Sequence, residues 1–145
     1  MDRSIFIATN FGTNFNILDT IRDVTDIQQI YSGLARRNGN WYSLDVEASG
    51  FKKAICIILL ANYSDIAVIE NFENSLHIDL AYKLINVLNS MKYVVVETHL
   101  GLLLRWGIAN GWNVYYVDEG KALKLTQKEL YNIKLFRKEL EVYGV

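Results

Sequence analysis

The order of apolar runs predicts an α/β fold, layered, with a mainly parallel sheet flanked by helices. Two observations carry that expectation. The stretch Asp65–His99 holds two short β-branched runs, Ile66-Ala67-Val68-Ile69 and Tyr93-Val94-Val95-Val96, with one helix-length segment between them. Such runs suit strands buried on both faces, and joined through a helix they make a βαβ unit with parallel strands. Strand-like and helix-like segments also alternate along the rest of the chain, which is the α/β pattern.

Ser4–Thr9 reads as a first strand, followed by the turn-like Asn10-Phe11-Gly12-Thr13-Asn14. Ile17, Ile21, Val24, Ile27, Tyr31 and Leu34 recur every three or four residues and predict one amphipathic helix, fading at Arg36-Arg37-Asn38-Gly39-Asn40. Asn38-Gly39 signals a turn. Trp41–Leu44 then forms a strand, and Ser49-Gly50 opens a helix that runs to about Asn62. After the strand ending at Glu70, a helix from Ser75 to about Met91 carries Leu76, Leu80, Leu84, Val87 and Leu88 on one face. The strand ending at Glu97 leads to a helix from His99 to about Ala109, then to a third buried-type strand, Trp112–Val117. Asp118-Glu119-Gly120 turns the chain into Ala122–Leu125, and Thr126-Gln127-Lys128-Glu129 is a capping box opening a helix to about Val142.

The length of 145 residues fits a single domain, 1–145, that buries about two thirds of the surface its unfolded chain would expose. With 51% hydrophobic and 12% aromatic residues, composition argues for a filled core and against disorder. A net charge of −1 gives no whole-chain electrostatic case for nucleic acid or membrane. The single cysteine, Cys56, excludes an internal disulfide and a multi-cysteine zinc site, and its apolar neighbours predict a small buried hydrophobe. No apolar run approaches the ~18 residues of a membrane span, and Met1-Asp2-Arg3-Ser4 lacks the features of a secretory signal. The expectation is a soluble, cytoplasmic protein.

Both strands of the βαβ unit end in polar residues, Glu70-Asn71-Phe72-Glu73 and Glu97-Thr98-His99. Carboxyl ends of parallel strands are where open α/β sheets bind ligands, so Glu70, Asn71, Glu97 and His99 are candidates for one crevice.

Three motifs in order carry a resemblance to ABC-type ATPases, nearest to the SMC-, RecF- and OLD-like branch. Glu47-Ala48-Ser49-Gly50-Phe51 resembles the signature motif; Ile66 to His77 resembles Walker B and the D-loop; Val94 to His99 resembles the switch-histidine strand. The likeness covers residues 40–118, leaving 1–39 as a strand and helix of uncertain relation and 119–145 as a C-terminal strand and helix. It implies the carboxyl-terminal lobe of a P-loop-NTPase-like fold, with ATP and Mg2+ as cofactors. Glu70 would support magnesium, which takes one or two carboxylates plus phosphate oxygens and water. Asn71 stands where the family places its water-activating acid. An amide orients water without accepting its proton, and loss of a general base costs about 10²–10⁴ in rate, unless Glu73 substitutes. His99 matches the histidine that contacts the γ-phosphate. Ser49, Gly50 and Ser75 match residues that the family uses across a dimer interface, where a helix opening with Lys52 and Lys53 beside it favours phosphate.

The departures are as informative. No G-x-x-x-x-G-K-[ST] is present, so Phe11-Gly12-Thr13-Asn14 is either a worn-down P-loop or a turn. Phe72 replaces the usual proline and Leu100 the usual serine. Slow or lost hydrolysis follows, with nucleotide work dependent on a homodimer or a partner that supplies a P-loop; DNA enters by family analogy alone. A non-catalytic interaction module is one alternative. A metal-dependent nuclease or phosphohydrolase built on Glu70, Glu97 and Asp118 is another.

Overall fold

The computed structural model describes residues 15–143, a mixed α/β arrangement of helices and small sheets. The predicted strand Ser4–Thr9 and the segment Asn10–Asn14 lie outside the described residues. The chain divides into two compact units, residues 1–96 and 97–145.

In the first unit, α1 (Phe15–Thr25), α2 (Ser49–Tyr63) and α3 (Ile78–Leu88) pack on one another. Ile17, Ile21, Ala54, Ile58, Leu84 and Leu88 are fully buried among them. Each such Ile or Leu contributes roughly 1.5–3 kcal/mol relative to exposure, so this helix trio is the main store of stability in the unit.

The long helix expected from Ile17 to Leu34 stops at Thr25. Thr25 turns its hydroxyl back to the Ile21 carbonyl, 2.7 Å away, and Asp26 takes a left-handed φ of 61°. The chain then forms an antiparallel meander of β1 (Gln29–Tyr31), β2 (Leu34–Arg37) and β3 (Asn40–Ser43). Ser32-Gly33, with φ of 48° and 79°, is the two-residue turn with both central residues left-handed that suits strand twist. Asn38-Gly39 repeats it. Tyr31 and Leu34 satisfy a helical spacing by coincidence, because the buried residues here are Ile30 and Ala35, which alternate with exposed neighbours at the strand period.

The βαβ unit is present. Strands β4 (Ile66–Ile69) and β5 (Tyr93–Val96) pair in parallel, Ile66 opposite Tyr93 through Ile69 opposite Val96, with α3 as the crossover. The strands are nevertheless not buried on both faces, as their sequence predicts. Ile66, Val68, Tyr93 and Val95 share one face and are 63%, 66%, 53% and 60% exposed.

The second unit holds α4 (Gly101–Ala109), the hairpin β6 (Tyr115–Asp118) and β7 (Lys121–Lys124), α5 (Gln127–Leu130) and α6 (Lys134–Tyr143). Leu102, Leu103, Leu125, Leu130, Ile133 and Phe136 are buried. The Glu139 carboxylate on α6 accepts from the backbone N–H groups of Gly101 (2.6 Å) and Leu102 (2.8 Å), satisfying two of the orphan donors that open α4. A Cβ at Gly101 would stand 3.0 Å from that carboxylate, so a side chain there would disturb the clasp.

Three further expectations are corrected here. Trp112–Val117 is not a buried-type strand: the strand spans Tyr115–Asp118 and pairs antiparallel with β7, and Tyr115 and Val117 are exposed. The C-terminal helix is two helices, broken at residues 131–133, where Ile133 turns into the core. With two of the three small sheets antiparallel, there is no single, mainly parallel layer among the described residues. The Thr126 capping box is formed as predicted. No helix among the described residues is long and apolar enough to cross a membrane.

Candidate functional site

Of the seven residues to which the resemblance gives a role, six lie in the first unit: Ser49 and Gly50 at the opening of α2, and Glu70, Asn71, Glu73 and Ser75 in the loop that leaves β4. Two contacts join these segments. Gly50 is buried so closely against the loop that a Cβ built on it would lie 2.5 Å from the Ser75 carbonyl oxygen. Lys53, one turn further along α2, donates from its ammonium to the carbonyls of Asn71 (2.7 Å) and Asn74 (3.1 Å). Partial burial draws the Lys53 pKa below its usual 10.5, against the opposing field of Glu73.

The loop is held in an uncommon shape. Asn71 (φ 47°) and Ser75 (φ 65°) are both left-handed, a region that non-glycine residues seldom occupy and that gathers at functional loops. Phe72 is fully buried and anchors the loop between them. The loop is thus fixed by burial of a ring.

Glu70 is exposed and has no ion pair or hydrogen bond among the described residues. One free carboxylate at a strand end, beside a loop of defined shape, fits what magnesium asks of a protein when phosphate and water complete its shell. Among the described residues no three histidine, cysteine, aspartate or glutamate side chains gather into a metal-holding group.

The seventh residue, His99, belongs to the second unit. Its Nε2 lies 3.4 Å from Glu97 Oε1, both side chains being well exposed. His77 caps α3, its Nδ1 accepting from the Asp79 N–H at 3.4 Å.

A charged cluster at the entrance to α2 has no counterpart in the sequence reading. Glu47 is buried; its carboxylate accepts from the Tyr42 hydroxyl at 2.5 Å and the Ala48 N–H at 3.0 Å, and pairs with Arg37 at 3.1 Å. Arg37 also donates to the Thr25 carbonyl at 2.9 Å and lies over the rings of Phe51 and Tyr42. Burial, then the hydrogen bond and charge of Glu47, push the Tyr42 phenol from 10.0 up to about 12. Arg37, Tyr42 and Glu47 carry no motif spacing, and only the fold of the meander brings them together.

Cys56 is half-buried, not a closed core residue, and lines an open apolar groove of about 440 Å³ between α2 and β4. Comparison with family models, curated proteins and solved structures finds no match to this chain.

Proposed function

We propose that this chain is a relative of the carboxyl-terminal lobe of an ABC-type ATPase, contributing to nucleotide contact only together with a P-loop supplied by another polypeptide or by a second copy. The observation that carries the reading is the junction of α2 with the loop after β4. Gly50 rests on the Ser75 carbonyl and Lys53 ties Asn71 and Asn74, so the signature-like and D-loop-like segments form one surface beside Glu70. That juxtaposition of a helix opening with one exposed carboxylate supports the reading of a phosphate-facing and magnesium-facing surface.

Within this reading, Glu70 supports magnesium, and Ser49, Gly50 and Ser75 build the phosphate-facing surface. Asn71 orients water but takes no proton, so hydrolysis is slow unless Glu73 acts as base. Such a lobe binds ATP weakly by itself. Amide NMR of the full chain titrated with ATP and Mg2+ tests this: changes confined to residues 49–53 and 70–75, at millimolar ATP, are expected. Micromolar affinity would remove the need for a partner, and an unchanged spectrum would contradict nucleotide contact altogether.

A second reading, a non-catalytic interaction module, draws support from one specific feature. Parallel sheets are ordinarily covered on both faces, whereas Ile66, Val68, Tyr93 and Val95 leave an apolar face open. It predicts the unchanged spectrum.

A further inference from the structure

The outer face of the antiparallel meander has no role in the nucleotide reading. Cross-strand partners share a face of the ladder, so this one carries two rows: Gln29, Arg36 and Trp41 in the first, Tyr31, Leu34 and Ser43 in the second. Ile30 and Ala35 are buried on the opposite face, whereas Tyr31, Leu34 and Trp41 are 64%, 42% and 48% exposed. The Arg36 guanidinium lies 6.0 Å from the centre of the Trp41 ring and donates to Gln29 Oε1 at 3.1 Å. Its Nε is buried and has no hydrogen-bond partner among the described residues. Arg22 pairs with Asp19 and Arg37 with Glu47, but Arg36 meets no carboxylate among the described residues. Residues 27–44 contain no aspartate or glutamate.

We propose that this face binds a single strand of nucleic acid, with bases stacked on Trp41 and Tyr31 and a linking phosphate at Arg36. Exposed rings standing on a rigid sheet offer unpaired bases a stacking surface that needs no particular sequence. Tyr31 and Trp41 lie on a diagonal, two strands and two residues apart, roughly 12 Å by sheet spacings, with Arg36 beside it. That span admits a base on each ring and backbone between them. An acid-free face holding an arginine without an anionic partner is complementary to phosphate, whose oxygens fit the guanidinium fork. Area argues against a protein partner. Three short strands present on the order of 200 Å², whereas a stable protein interface takes about 800 Å² from each side. The net charge of −1 supplies no long-range attraction, so stacking carries most of the affinity and salt dependence is shallow. The inference uses no residue of α2 or of the loop after β4, and it holds or fails apart from the nucleotide reading.

The test is fluorescence anisotropy of labelled oligo(dT) and oligo(U) strands titrated with the full chain at several salt concentrations. Binding of single strands is expected, and the ratio of the two affinities reads the preference for deoxyribose or ribose. A duplex of the same length, and heparin as a polyanion without bases, should compete poorly. Trp41→Ala and Tyr31→Ala should each weaken binding about tenfold, and Trp41→Phe, which keeps a ring, should recover most of the loss. Arg36→Gln should lower the slope of log affinity against log salt by about 0.7, the share of one phosphate on a single strand. Trp41 and Tyr31 are exposed, so their variants keep the fold, which circular dichroism verifies. The proposal is overturned if neither single strand binds, if duplex or heparin competes as well as single strand, if Trp41→Ala binds as the parent chain does, or if Arg36→Gln leaves the salt slope unchanged. It is equally overturned if the chain self-associates and Trp41→Ala disperses it, which would give the face to a second copy.

Discussion

Two carboxylates in the first unit, Glu47 before α2 and Glu70 after β4, have opposite surroundings. Glu47 is buried and met by Arg37, Tyr42 and a backbone N–H. Glu70 is exposed and engaged by nothing among the described residues. The first has its electrostatic demand met inside the protein and therefore holds the entrance of α2 in place. The second keeps its charge available. A buried, fully paired acid is scaffold; an exposed acid beside a loop of constrained shape is where ligand chemistry can begin.

Substitutions at the two places should separate these roles. Glu47→Ala leaves the half-buried Arg37 guanidinium and the Tyr42 hydroxyl without their carboxylate partner, and loss of about 2–4 kcal/mol in urea unfolding is expected. A loss under about 1 kcal/mol would mean that the cluster is not scaffold. Gly50→Ala drives a Cβ into the Ser75 carbonyl, with an expected loss of about 1–3 kcal/mol and altered amide shifts across residues 71–75. Unperturbed shifts there would separate the two segments.

Alkaline titration probes the cluster without mutation. The Tyr42 phenol keeps its proton to about pH 12 in the folded chain, against 10.0 for an ordinary phenol. Between these values the unfolded chain binds fewer protons, so stability is complete below pH 10 and falls as pH rises toward 12. Phenolate absorbance should show Tyr42 titrating late, and Glu47→Gln should bring it back toward 10.0. The smallest stability effect is expected at Glu70→Gln, within about 0.5 kcal/mol, because an exposed unpaired side chain supports no contact. A larger loss would make Glu70 scaffold as well.

The contrast also shows which parts of the molecule are legible in sequence. The boundaries of α2, β4 and β5 fall within a residue or two of their expected places, because each is a local apolar pattern with clear breaks. The region after Thr25 is misread, since Ile27, Tyr31 and Leu34 fit a helix while Ser32-Gly33 and the burial of Ile30 and Ala35 impose a hairpin. At the site, Glu70 and Asn71 are recognisable because their place at a strand end is local. The scaffold roles of Lys53 and Glu47 are not legible in the sequence, because the contacts of Lys53 with Asn71 and Asn74 and of Glu47 with Arg37 and Tyr42 are made only by folding.

The central claim is that Glu70 supports a metal held with nucleotide beside the opening of α2. Line broadening by Mn2+, as a paramagnetic substitute for Mg2+, tests it most directly on the full chain and on Glu70→Gln. The account predicts ATP-dependent broadening of amides in residues 70–75 and 49–53, lost in Glu70→Gln while the remaining spectrum is unchanged. Broadening that is absent, or that persists undiminished in Glu70→Gln, would contradict it.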